Sequence, residues 1–170
     1  HRMKRLLARM LDPEEFLSDY GIRGLSKVHD REPYVYRRDG IEVSASYIPG
    51  ESTTHLFGGN SNWRGPIWFP VNYLLVESLY RFHAYYGEDF RVEHPTGSGQ
   101  FLSLREIAEE LGRRLVRIFL ADDHGRRPSL ENHSKMTTDP HFKDYVLFHE
   151  YFHGDTGRGV GASHQTGWTG

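Results

Sequence analysis

Two apolar stripes at helical spacing constrain this chain more than any other feature. Ile107, Leu111, Leu115, Ile118 and Phe119 fall on one face of a helix that Ser103 and Glu106 open as a capping box. Gly125, after Asp122-Asp123-His124, stands where a left-handed residue ends such a helix. The second stripe is Val71, Leu74, Leu75, Leu79, Phe82 and Tyr86, which predicts a helix over roughly 67–86 with Pro70 tolerated in its first turn. Met3, Leu6, Leu7 and Met10 predict a helix over 2–11, and Asp12-Pro13-Glu14-Glu15 reads as the start of a short one ending near Tyr20-Gly21. Between these lie long loops: 21–46, with a β-like run at Tyr34-Val35-Tyr36; Gly50–Gly65; 89–100; a polar connector to about His141; and a Gly-rich tail from Gly154. Tyr145–Phe148 is a short β-prone run. The expectation is an all-α arrangement of antiparallel helices with long loops and a few short strands.

Composition narrows the chemistry. The chain has 170 residues, which suits one domain. Its hydrophobic share is 37%, but aromatics at 14% supply large buried areas. Lys plus Arg is 21 against 23 for Asp plus Glu, so the basic excess of a phosphate-gripping nucleic-acid binder is missing. With no Cys, disulfides, thiol catalysis and Cys-ligated metal sites are excluded. No run approaches the roughly 20 apolar residues of a membrane span, and His1–Arg5 opens no signal peptide. No nucleic-acid or membrane partner is therefore expected, and a cytoplasmic location is. The chain starts inside a helical pattern and stops at Gly167-Trp168-Thr169-Gly170 without a closing element, so both ends read as cut from a longer domain.

Four motifs carry possible chemistry. His149-Glu150-Tyr151-Phe152-His153 matches H-E-x-x-H, the zinc peptidase pattern, which needs a helix so that both His share one metal. The β-prone run before it and Gly154 after it argue for an extended segment, where residues four apart lie about 13 Å from each other. No metal is expected. Gly157-Arg158-Gly159-Val160-Gly161 lacks the spacing of a nucleotide loop and reads as a turn needing positive φ or close backbone approach. Asn62-Trp63-Arg64-Gly65-Pro66-Ile67-Trp68-Phe69-Pro70, with Asn72-Tyr73, reads either as a packed aromatic corner or as a sugar platform. In the second case indole rings stack on pyranose C–H faces, while Arg and Asn serve the hydroxyls. Finally, Glu150-Tyr151-Phe152 with Gln165 and Trp168 places a carboxylate among aromatics and an amide on a Gly-shaped loop.

The Asn62–Trp68 run with Asn72-Tyr73-Leu74 resembles the signature of glycoside hydrolase family 63, a group of processing α-glucosidases and relatives such as mannosylglycerate hydrolases. The terminal block, Glu150-Tyr151-Phe152, Gly157-x-Gly159-x-Gly161 and Gly167-Trp168-Thr169, resembles the end of the same catalytic domain, and Gly24-Leu25-Ser26 after Tyr20-Gly21 fits as well. The resemblance spans nearly the whole chain. It implies that residues 1–170 are the C-terminal part of an (α/α)6 barrel that hydrolyses α-glycosidic bonds with inversion. Inversion uses two carboxylates about 6.5–9.5 Å apart, one protonated and one ionised. The resemblance makes Glu150 the general base, with His149, His153 and Arg64 as neighbours favouring its ionised form. It makes Trp63, Arg64, Trp68, Asn72, Tyr151, Gln165 and Trp168 candidate sugar contacts. The general-acid Asp lies upstream, outside this chain; Asp19 and Asp30 stand near the wrong landmarks. The partners implied are an oligosaccharide or small α-glycoside and the rest of the catalytic domain. Two carboxylates and a water suffice, so no cofactor is expected. A fragment of this kind, alone, is expected to be neither stably folded nor active. A zinc peptidase through His149 and His153, and a non-catalytic sugar-binding module, are the competing functions.

Overall fold

A computed structural model describes residues 2–53, 62–131 and 133–164. The helices are α1 (Arg2–Met10), α2 (Phe69–Tyr86), α3 (Leu104–Arg117) and the short α4 (Ser134–Thr138). The strands are β1 (Leu17–Ser18), β2 (Gly21–Ile22), β3 (Tyr34–Arg38), β4 (Ile41–Ala45), β5 (Arg91–Glu93), β6 (Phe101–Ser103), β7 (His149–Phe152) and β8 (Gly159–Ser163). They pair in sequence order as four two-stranded antiparallel sheets.

The all-α expectation, with its picture of these residues as a portion of an (α/α)6 barrel, is thereby corrected. Helix accounts for 34% of the described residues and strand for 20%, so the fold is mixed. The cause is local. Segments read as loops reverse direction in tight turns and pair with themselves. In the β3–β4 hairpin, Asp39 and Gly40 both take positive φ, the two-residue turn that matches strand twist. The helix expected after Asp12 is likewise replaced by a turn. The Asp12 side chain accepts from Glu14 N–H, and the chain runs straight into the β1–β2 pair.

α3 is built as its sequence predicts. Ser103 Oγ accepts from Glu106 N–H, and Ser103 N–H donates to the Glu106 carboxylate. Ile107, Leu111 and Leu115 are buried along one face. The helix ends at Arg117, however, short of Gly125, which instead closes a turn organised by the Asp122 side chain. α2 departs further. Leu79 and Asn72 are its buried residues, while Leu74 from the predicted stripe is 61% exposed. Apolar residues surround α2 on nearly every side, so sequence periodicity does not single out the face that meets α3.

The main core joins α1, β1, β2, α2 and α3 through Leu7, Leu17, Ile22, Leu79 and Leu111. A second cluster joins Ile67, Leu115, Ile118 and Phe152, ringed by Phe69, Phe119 and Phe148. Trp68, Tyr151 and Val160 form a third.

One polar brace crosses this frame. His94 Nε2 lies 2.9 Å from Glu110 Oε2, and Arg114 Nε donates to the same carboxylate at 2.8 Å while its Nη1 donates to Ser18 O. Burial alone would push the Glu110 pKa up. The bonds and charges of His94 and Arg114 outweigh it and bring the carboxyl down to about 2. A folded-state value below the ordinary 4.5 stabilises the fold fully above pH 4.5, and that stabilisation is lost as the pH falls toward 2. Acid titration of stability is therefore expected to fall less steeply across that window in Glu110→Gln than in the wild type. Parallel acid curves would mean the brace contributes nothing.

Candidate active site

The two sequence blocks meet through a backbone bridge. Ile67 N–H donates to Phe152 O at 2.8 Å and Phe152 N–H donates to Ile67 O at 2.9 Å. Ile67 also pairs with Arg23 on its other side, and Gly24 N–H donates to Pro66 O. The Trp-Arg-Gly-Pro corner is thus held like a short central strand between the segment after β2 and the end of β7.

That register stacks three aromatic rings. Trp63 and Trp68 lie parallel, with centroids 4.2 Å apart and planes 3° off, and Trp68 lies 4.8 Å from Tyr151. The stack runs from Trp63, 41% exposed, to Tyr151, which is fully buried. Trp68 Nε1 donates to Asn62 O, which fixes the ring in its plane. Burial, with the charges of Glu150 and Glu51 adding to it, pushes the Tyr151 hydroxyl up to about 12, so it stays protonated at neutral pH.

Glu150 precedes Tyr151 on β7 and is half-buried. The pairing of β7 with β8 slips in register between His149 and Tyr151, an irregularity of the kind that re-aims a side chain. The glycine series opposite makes the room. A Cβ on Gly161, whose φ is +70°, would stand 2.9 Å from Glu150 Oε2. A Cβ on Gly159 would overlap the His149 ring, and one on Gly157 would stand 2.7 Å from the Tyr20 ring. Each glycine admits a different side chain.

The remaining predicted residues fall into separate roles. Arg64 is buried, with Nη2 donating to Ser52 Oγ at 2.9 Å and its backbone N–H to Asn62 Oδ1. Asn62 in turn donates to Ile48 O and Gly50 O. Asn72 is buried and bonds both backbone groups of Ile22, at 2.7 and 3.0 Å, as well as Trp68 O. In this structure Arg64 and Asn72 tie the corner to the frame. Gln165 and Trp168 lie outside the described residues. His149 is buried, and burial holds its pKa below the ordinary value. Burial lowers that of His153 as well, and its Nδ1 accepts from Asp155 and Thr156 N–H. Burial thus disfavours the charged form of both rings. Because His149 sits on a strand and His153 just past it, the helical geometry of a zinc H-E-x-x-H is not formed. Among the described residues no group of three His, Asp or Glu could hold a metal ion. Among them, too, no helix is long and apolar enough to cross a membrane.

One network went unseen in the sequence. Arg23 is buried, and its Nε donates to Tyr47 Oη at 3.0 Å, its Nη2 to Asp155 Oδ1 at 3.0 Å, and its Nη1 to the carbonyls of Pro13 and Leu17. Tyr47 Oη donates to Asp155 Oδ1 at 3.0 Å. The Tyr47 ring fits a cradle of two glycines: a Cβ on Gly65 would come within 2.6 Å of the ring, and one on Gly154 within 2.7 Å of its hydroxyl. Tyr47 is thus a peg between the Trp-Arg-Gly-Pro corner and the turn after β7.

The model of the glycosyl hydrolase family 63 C-terminal domain matches residues 1–117. The chain belongs to this family. The match takes in the aromatic corner, α2 and α3 and ends ahead of β7. Similarity to individual relatives continues to the end of the chain. A Saccharomyces cerevisiae protein, "Uncharacterized protein YMR196W", is 56% identical over 99% of this chain and 16% of its own length. The mannosyl-oligosaccharide glucosidase of the same yeast is 25% identical, and a probable mannosyl-oligosaccharide glucosidase of Schizosaccharomyces pombe is 30% identical. Each alignment covers 99% of this chain and 14% of the relative. The chain thus spans about a sixth or less of the length of these relatives.

Proposed function

We propose that this family 63 chain contributes the general base and an aromatic sugar platform to an inverting hydrolase of α-glucosides or related α-glycosides. Glu150 takes a proton from water, and the water oxygen attacks the anomeric carbon from the face opposite the leaving group. An Asp in another part of the protein protonates the leaving oxygen. The observation that carries this reading is the Ile67–Phe152 bridge, which brings Trp63 and Trp68 onto Tyr151, the residue beside Glu150. Trp63, the exposed end of that ladder, offers a flat apolar face of the kind on which a pyranose stacks. The glucosidase names of two relatives support the substrate class.

Inversion is tested by proton NMR of the first product formed by the intact protein from an α-linked gluco-oligosaccharide. The β anomer should accumulate first and then mutarotate. An initial α anomer would mean retention and would remove the general-base role.

A further inference from the structure

Beside the turn after β7 lies a cavity of about 910 Å³. The end of α3, the Pro128–Leu130 turn with α4, and the Asp155-Thr156 turn enclose it. Its size falls within the range of small-molecule pockets. Trp63, Trp68 and Glu150 are not among its lining residues.

Asp155 is its best-prepared group. Arg23, Lys27 and Tyr47 all contact the carboxylate through Oδ1. Oδ2 has no hydrogen-bond partner among the described residues, and the side chain is 30% exposed. Burial would raise its pKa, but the bonds and charges of Arg23, Lys27 and Tyr47 prevail and lower it. A carboxylate fixed from behind by a buried guanidinium and a buried phenol, with one oxygen to spare, is an acceptor prepared for hydroxyl donors.

The other walls match that need. Tyr20 contributes an aromatic ring, Leu120 and Leu130 apolar surface, and Ser134 a hydroxyl. Much of the charge is paired: Arg126 is engaged by Asp122 at 2.8 Å and Asp155 by Arg23 at 3.0 Å, while Arg117 and Arg127 share the lining with Glu131. A strong anion would meet two carboxylates and a cation two guanidiniums. A neutral polyhydroxyl ring meets acceptors, donors and an aromatic face. We infer that this cavity is a second carbohydrate-binding site, which takes a neutral pyranose with Asp155 accepting from its hydroxyls.

The test titrates maltotriose into the intact protein carrying Glu150→Gln, followed by calorimetry, with inorganic phosphate as the competing probe. Two binding events are expected. Trp63→Ala should weaken one. Leu120→Trp, which fills the cavity from a position 59% exposed, should weaken the other at least tenfold and leave hydrolysis by the otherwise wild-type protein unchanged. Asp155→Asn should weaken that second event roughly tenfold, the scale of losing an ionised acceptor. Titrations unaltered by Leu120→Trp would overturn the site even where Asp155→Asn fails to fold. Phosphate binding that maltotriose does not displace would overturn its carbohydrate character. Should Glu150→Gln still hydrolyse, the general-base role falls, while the Leu120→Trp comparison decides the cavity on the same terms.

Discussion

Glu150→Gln in the intact protein is expected to lower hydrolysis at least a hundredfold with little change in thermal stability. The amide keeps the shape and hydrogen-bonding reach of the carboxylate but cannot take a proton from water. Positioned general bases contribute roughly 10² to 10⁴ in rate. The stability arm matters because Glu150 faces Gly161 at close range, so the substitution must be near-isosteric to be interpretable. A variant with a wild-type rate would end the assignment. A loss of rate together with a large loss of stability would mark Glu150 as a packing residue instead. A non-catalytic sugar-binding module predicts no hydrolysis by either protein, with binding retained in both.

Arg23→Met should be the most damaging substitution for the frame. Methionine fills much of the volume but supplies none of the bonds to Tyr47, Asp155, Pro13 O and Leu17 O. Removing one partner of a buried ion pair costs about 3–5 kcal/mol. Asp155 keeps Tyr47 and Lys27, so the lower end is expected, near 3 kcal/mol on that same scale. Tyr47→Phe, which removes one hydroxyl and keeps the ring in its glycine cradle, should cost about 1 kcal/mol. Urea unfolding of the two variants separates these cases. Equal losses would show that the Tyr47 hydroxyl, bonded to both Arg23 and Asp155, matters to the frame as much as the guanidinium. In a double-mutant cycle Arg23 and Asp155 should be coupled, because each is read through the same oxygen.

What could be read ahead of the structure follows the range of the interactions. α3 was legible because its cap and its stripe are local: Ser103 to Glu106 is one turn, and Ile107 to Leu111 to Leu115 is one face. Strand-like Tyr34-Val35-Tyr36 was legible for the same reason. The aromatic corner and Glu150 were legible as residue types, through family resemblance, but the meeting of the corner with β7 was not. It depends on two backbone bonds between Ile67 and Phe152, and no side-chain pattern encodes a backbone bond. The Arg23–Tyr47–Asp155 network left no trace at all, since its members stand 24 and 132 positions apart along the chain and follow no period. The all-α expectation fails because a Gly-rich composition predicts loops where the chain forms short hairpins. With so few residues per strand, hairpins and loops share one composition, and only pairing separates them. α2 shows the converse: a helix apolar all round is easy to recognise and hard to orient.

The bridge at Ile67 has a consequence for how the site comes into being. Its neighbours on either side, Arg23 and Phe152, enter from opposite ends of the chain. Closing such long loops is entropically slow, and the longer closure, between Ile67 and Phe152, is the one that brings Tyr151 onto the two indoles. The stack and the carboxylate beside it are therefore expected to form late in folding, together with that closure. The amides of Ile67 and Phe152 should report that event together, exchanging their hydrogens with solvent at one common rate whenever the site opens.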